Sequence, residues 1–453
     1  MFEALLLDTA RRSARYLEGL DQRTVAPTPQ AIEALRTLAG GALPEGGLPA
    51  ERVLALLDEV GSPATVASAG GRFFGLVIGA SLPAALAANW LANAWDQNAA
   101  FENTSPVAAA LEQTALRWLL ELFALPRECG GAFVTGATLA NFTALAAARH
   151  ALLAREGWDV EAEGLFGAPG LRVVVGDQVH PSVRKALGLL GLGRDRGERV
   201  PADEQGRMQA SALPALDART IVCTQAGNVN SGASDPFAAI SLRTRECGAW
   251  LHVDGAFGLW ARACPATADS VAGVECADSW AVDFHKWLNV PYDSAAAFVR
   301  DAGSLEASMS LAPVPYLVEG AGRSPCRFTP EFSRRARGVD VWAALQHLGR
   351  DGVAELVERC CRHARAFADG LRAAGFEILN AVTLNQVVVE MGSAERTERI
   401  ARALQADGRC WCGPTRWNGR AALRISVSSW RTSDADVRRS LAAIIEIARE
   451  PGA

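Results

Sequence analysis

DSWAVDFHKWLNVPYD, residues 278–293, is the stretch on which the reading of this chain turns. SWAVDF (279–284) has the short apolar composition of a buried strand. Lys286 follows it, flanked by His285 and Trp287. An ammonium in apolar company is costly to keep charged, so its pKa is expected to fall and its amine to become nucleophilic. Covalent attachment of a carbonyl compound needs that property. The alternative for Lys286 is a surface charge at the end of a strand.

Working outward, FVT (133–135) leads into the helical ATLANFTALAAARHALLA, and RVVVG (172–176) into HPSVRKALGLLG. TIVCTQ (220–225) precedes a loop, a helix and then WLHVD (250–254), and AAAFVR (295–300) follows the lysine segment. Strands alternating with helices predict an α/β fold: a mainly parallel sheet with helices on both faces. Residues 1–65 read as an N-terminal helical segment broken by GGALPEGGLP, and 66–339 as the large domain. Residues 340–453 read as a small C-terminal α/β domain, with one long helix, the strand-like NQVVVEM and LRISVS in an antiparallel sheet, and a last helix from about Ser433.

Composition narrows the function classes. The chain has 453 residues, 49% hydrophobic and 21% charged, and a core of that size needs neither disulfides nor metal to fold. A net charge of -5 leaves no basic surplus for nucleic acid. The apolar stretch GLVIGASLPAALAANWLANAW contains Pro83 and runs into Asp96, so a loop and a buried helix are expected rather than a membrane span. No secretory leader pattern is visible. The ten cysteines are scattered, and Cys360-Cys361 and Cys410-x-Cys412 lack the partners of a zinc site. Reduced thiols of a cytoplasmic protein without a metal centre are the expectation.

Three further features carry chemistry. Asp254 ends the strand WLHVD, where a carboxylate can pair with a protonated ring nitrogen of a cofactor; a solvated loop Asp is the alternative. In GAFVTGATLAN (131–141) a strand meets a helix through Gly136, Ala137 and Thr138, and free N–H groups at a helix start bind phosphate; plain N-capping by Thr138 is the alternative. His180, at the junction before PSVRKAL, offers a flat imidazole for stacking on a ring, or is an ordinary loop residue. All four features fall at the C-terminal ends of expected strands, where open α/β sheets bind their ligands.

With these residues in place, the chain resembles the group II pyridoxal-dependent decarboxylases, of the aspartate aminotransferase fold (pyridoxal phosphate fold type I). The resemblance rests on TGATLAN, HPSVRKAL, QAGNVNSGASDP, WLHVDGAFG, the DxHKW of Asp283 to Trp287, and LRISVS, and runs from RFFG at Arg72 to the last helix. It implies an amino-acid decarboxylase with pyridoxal 5'-phosphate held on Lys286 as a Schiff base. Asp254 would meet the ring nitrogen, Ala256 would lie under the ring and His180 would stack on it. Gly136, Ala137, Thr138, Asp283 and His285 would hold the phosphate. Asn228 would approach the ring hydroxyl and the substrate carboxylate, with Arg424 on the carboxylate side and Phe73 and Phe74 near the substrate; outward exposure of Arg424 and plain packing of the two phenylalanines remain open. A homodimer with active sites at the interface is implied, as is an amino-acid substrate, with aromatic or apolar side chains favoured by the apolar neighbourhood.

The chain departs from the family pattern twice. The family's AGTT is AGNV here, Ala226 to Val229, and Val229 offers no hydrogen bond. The family's mobile loop carries a tyrosine that protonates the intermediate after carbon dioxide leaves. The corresponding VEGAGRSPCRFTPEFSRRARG (318–338) has none, Phe328 is its nearest aromatic, and the chain's only tyrosines are Tyr16, Tyr292 and Tyr316. Loss of that phenol implies either another proton donor, such as His180, or an altered outcome, including oxidative decarboxylation–deamination to an aldehyde.

Overall fold

Strands that are apolar from end to end need cover on both faces. The computed structural model, which describes residues 2–311 and 322–450, supplies it. Seven strands make one sheet: β1 (Gly130–Val134), β2 (Arg172–Gly176), β3 (Glu198–Val200), β4 (Thr220–Gln225), β5 (Trp250–Asp254), β6 (Ser279–Asp283) and β7 (Ala295–Val299). Their order is β1-β7-β6-β5-β4-β2-β3. The neighbours from β3 to β6 pair parallel, and β7 runs antiparallel to both β6 and β1. It follows that β1, β2, β4, β5 and β6 all end on the same edge. Every residue of β4 to β7 is buried.

The helix Ala137–Arg155 lies on this sheet, and Ala140, Ala144, Ala147, Ala148 and Ala151 are among its buried residues. Small side chains on one helical face allow a close approach to the strands. The polar Asn141 is carried in with them, fully buried. The sequence reading missed β3, a three-residue strand with two exposed positions, and β9.

A second sheet holds β8 (Gln386–Glu390), β9 (Gly413–Trp417) and β10 (Arg420–Ser426) in the order β8-β10-β9. β9 and β10 pair antiparallel. The Pro and exposed polar positions of β9 suit an edge strand and blur its pattern. The last helix, Asp434–Arg449, starts at a capping box formed by Ser433 and Asp436. The long helix expected from Asp340 spans Arg337–Ala373, with a break at Gly349, whose φ is 59°.

Packing divides the chain at other places than 65 and 339. One compact unit is Ser81–Arg365 with Asn380–Val387; the other joins the residues up to Ala80 to Ala366–Leu379 and the chain from Val388. Arg72 shows why the N-terminal helices belong with the C-terminal part. Its buried guanidinium donates to the carbonyls of Asp21 (3.1 Å), Arg23 (2.8 Å) and Arg409 (2.7 Å). The stretch around Pro83 also differs from expectation: on the helix Pro83–Trp95 only Ala85 and Asn89 are buried, while Trp90, Leu91 and Trp95 are exposed in the single chain. No described helix is long and apolar enough to cross a membrane.

Gly258 marks a close approach that positions the loop after β4. A Cβ there would lie 2.2 Å from the Ala226 carbonyl oxygen and 2.5 Å from the Gly227 nitrogen, both backbone atoms. Gly258→Ala is therefore expected to destabilise the protein by about 1–3 kcal/mol or more, whereas Gly46→Ala, with open space around it, should be near neutral. Urea denaturation midpoints of the two variants test this; equal midpoints would refute the close approach.

Candidate active site

Register brings the site together. Val134 of β1 and Asp283 of β6 both stand opposite Ala295 of β7, so the turn after β1 arrives beside the end of β6. The Ala137 N–H donates to Asp283 Oδ1 at 2.8 Å. Lys286 Nζ lies 2.9 Å from Asp283 Oδ2, and His285 Nε2 lies 3.6 Å from the same oxygen. Residues three apart on a helical turn face one another and adjacent ones do not. That geometry corrects the expected surroundings of Lys286: its amine meets the Asp283 carboxylate, while Trp287 turns away toward Phe257, ring centroids 6.2 Å apart. The His285 ring stacks on Tyr292 at 4.2 Å, and burial lowers its pKa.

Among the expected phosphate residues, Gly136 is the N-cap of its helix, with no side chain capping it, so Thr138 does not act as the cap. A Cβ built on Gly136 would have no atom closer than 3.8 Å. Asp283 is an acceptor and offers a phosphate no donor. Its observed part is to hold the Ala137 N–H and Lys286.

Asp254 ends β5, 4% exposed. Its Oδ2 accepts from Asn141 Nδ2 (3.1 Å) and stands 3.2 Å from the Ser182 hydroxyl, and its Oδ1 accepts from the Ala256 N–H at 3.2 Å. His180 caps the helix Pro181–Leu189, and its Nδ1 accepts from the Ser182 N–H at 3.2 Å with the Ser182 hydroxyl at 2.7 Å. An Nδ1 that accepts a backbone N–H leaves the neutral ring's proton on Nε2. Beyond Asp254, Asn141 Oδ1 meets His252 Nε2 at 2.8 Å, and His252 Nδ1 meets Ser279 Oγ at 2.9 Å.

The loop after β4 begins beside Asp254, whose carbonyl accepts from the Ala226 N–H at 2.9 Å. Asn228 is fully buried. Its Oδ1 is occupied by the N–H groups of Asn230 (2.9 Å) and Ser231 (3.2 Å), so this side chain can donate but no longer accept. Its Nδ2 is buried with no acceptor among the described residues.

Lys286, Asp254, His180, Asn228, Ala256, Asp283, His285 and the Gly136–Thr138 turn thus share the larger unit. Phe73, Phe74 and Arg424 belong to the other. Phe73 stacks on Trp411 at 4.9 Å, and Phe74 is buried against Phe367 at 5.0 Å. Arg424 is half-buried on β10, and desolvation lowers its pKa. Tyr316 and residues 318–321 lie outside the described residues; 322–338 are described and hold no tyrosine. Residues missed from sequence are Asn141, Ser182, His252 and Ser279. A signal existed for His252: Trp250, His252 and Asp254 alternate on one face of an otherwise apolar strand.

Comparison with known proteins identifies similar chains. The sequence profile of the pyridoxal-dependent decarboxylase conserved domain matches residues 42–391. Tryptophan decarboxylase 1 of Oryza sativa subsp. japonica is 29% identical over 406 residues, 81% of this chain and 78% of that protein. Phenylacetaldehyde synthase of Arabidopsis thaliana is 26% identical over 367 residues, 74% of this chain and 73% of that protein. The crystal structure of Oryza sativa TDC with PLP and tryptamine superposes with a TM-score of 0.89 at 25% identity, covering 99% of this chain and 97% of that one.

Burial pushes His252 down to about 4, from an ordinary 6.5. The folded state thus holds the neutral ring. The stability this confers is present above pH 6.5 and is lost as pH falls from there through about 4, on the order of 3 kcal/mol in all. In His252→Gln, which cannot titrate, urea-derived stability should fall less steeply across that window; identical slopes would refute the assignment.

Proposed function

The chain belongs to the pyridoxal-dependent decarboxylase family, and from that premise we propose that it releases carbon dioxide from an L-amino acid with an aromatic or apolar side chain. Pyridoxal phosphate is its cofactor. The observation that carries the reading is a pair of buried carboxylates ending adjacent parallel strands, Asp254 ringed by donors and Asp283 beside the Lys286 amine. Asn228 supports the fit, because a buried amide donor without an acceptor calls for a ligand oxygen.

When bound, pyridoxal phosphate supplies an electron sink for the pair left behind as carbon dioxide departs. Lys286 would provide the amine that tethers the cofactor. Asp254, its carboxylate already held by Asn141 and the Ala256 N–H, would pair with the ring nitrogen. The N-terminal turn at Gly136, Ala137 and Thr138 holds the phosphate, with His285 near by, and Asp283 anchors that turn and Lys286 together. Asn228 Nδ2 donates to the ring hydroxyl or to the substrate carboxylate. His180 would stack on the ring and, with its proton on Nε2, could return a proton to the substrate carbon. Arg424, Phe73 and Phe74 are proposed for the substrate side. The tryptophan decarboxylase among the relatives supports an aromatic substrate. The exposed Trp90, Leu91 and Trp95 support a homodimer, for which sedimentation should give twice the 47.9 kDa of one chain.

A second reading keeps the cofactor and changes the product. The described part of the loop, 322–338, carries no phenol and is packed in place, with Ser324, Cys326 and Arg334 buried. Reaction of the decarboxylated substrate with dioxygen and water would then give an aldehyde, ammonia and hydrogen peroxide. The phenylacetaldehyde synthase among the relatives keeps this outcome in view.

Screening amino acids against the yellow holoenzyme separates the two readings. Decarboxylation predicts carbon dioxide and amine in equal amounts; aldehyde with peroxide favours the oxidative reading; turnover without carbon dioxide overturns both. Lys286→Ala should be colourless and lose activity by about a thousandfold or more. A variant that keeps both colour and turnover would refute the tether.

A further inference from the structure

The polar side chains behind Asp254 form one continuous chain with a fixed direction. Trp250 Nε1 can only donate, and it donates to Ser279 Oγ at 2.9 Å. At the other end, Asp254 Oδ2 takes the Asn141 Nδ2 donor at 3.1 Å. That orients the amide, so Asn141 Oδ1 must accept, and the His252 Nε2 facing it at 2.8 Å must carry the proton. His252 is fully buried and held neutral, which leaves Nδ1 to accept from the Ser279 hydroxyl at 2.9 Å. Every hydrogen bond from Trp250 through Ser279, His252 and Asn141 therefore points at Asp254. No other assignment of protons satisfies all four groups.

The fold builds this chain deliberately. The two-residue period of β5 sets Trp250, His252 and Asp254 on one face, His252 stands opposite Ser279 in the β5–β6 register, and the Ala-lined helix lowers Asn141 between His252 and Asp254. A branch leads to the other face of the site: Asn141 Nδ2 also donates to Ser182 Oγ at 3.2 Å, and that hydroxyl lies 2.7 Å from His180 Nδ1.

We propose that His252 and Asn141 are positioning residues that lock the Asp254 carboxylate through Oδ2, leaving Oδ1, bonded only to the Ala256 N–H, with the acceptor capacity that the cofactor's ring nitrogen needs. This rests on the reading that Asp254 pairs with that nitrogen. Hydrogen bonds polarised in one direction strengthen one another, so a cut at His252 is felt at the cofactor although His252 does not touch it.

The test compares wild type with His252→Leu, His252→Gln, Asn141→Ala and Asp254→Asn. Each is titrated with pyridoxal phosphate by visible absorbance, and the pH dependence of the bound spectrum and kcat and KM are recorded. His252→Leu should weaken cofactor binding and lower kcat by roughly tenfold, about one charge-assisted hydrogen bond, with KM little changed and the spectral titration displaced. His252→Gln, whose amide can donate to Asn141 and accept from Ser279, should recover most of both losses. In the cofactor-free wild type, nitrogen NMR of the six histidines should show one buried ring, absent from His252→Gln, protonated on Nε2. If His252→Leu fails to fold, Asn141→Ala reports the same link. Normal cofactor affinity and spectrum in whichever of the two folds, or an Nδ1-protonated ring, would overturn the proposal. If Asp254→Asn also binds and reacts normally, the parent reading fails instead.

Discussion

Removing a carboxylate from water without giving it donors costs several kcal/mol, and this sheet buries two, Asp254 and Asp283, at the ends of neighbouring strands. Much of the larger unit's polar architecture answers to that demand. Asn141 and Ser182 come from the helices that follow β1 and β2, and Ala137 from the start of the first of these. Each therefore ties the connection after one strand to the end of another. The same contacts collect, on a single edge of the sheet, the groups proposed to hold pyridoxal phosphate. Stability and chemistry are served by one set of hydrogen bonds, which is why the site is built on strand ends and helix starts rather than on long loops.

A second buried charge cluster anchors the described part of the 318–338 loop. Arg334, fully buried, donates to Glu112 Oε2 at 2.8 Å and to the carbonyls of Ala99 (3.1 Å) and Phe133 (2.8 Å). Arg323 lies 3.5 Å from the other Glu112 oxygen, and its guanidinium covers the Phe328 ring at 3.9 Å. Breaking one partner of such a cluster leaves an uncompensated buried charge. These arginines hold the segment against β1 and the helix Pro106–Leu122.

Much of this was legible from local pattern, because a strand's burial and a helix's start are written in a few neighbouring residues. The runs WLHVD, SWAVDF and TIVCTQ announced β5, β6 and β4, and TGAT announced a strand-to-helix turn, although only the structure showed that Thr138 does not cap it. Those signals were enough to set Lys286, Asp254, His180 and the turn at Gly136 on one edge. Local pattern failed where a property belongs to partners distant in the chain. Trp287 suggested an apolar setting for Lys286, but the helical turn presents Asp283 to the amine instead. Asn228 was expected beside the ring hydroxyl and the substrate carboxylate, but that its own loop folds back onto Oδ1 and leaves it a donor only is set by tertiary structure. Arg72 joined the N-terminal helices to the C-terminal part through carbonyls that no nearby pattern reveals. His252, Asn141, Ser182 and Ser279 are ordinary residues one by one. Strand register and the descent of one helix onto the sheet make them a directed chain, because hydrogen-bond partners are chosen by position in space and not by order along the backbone.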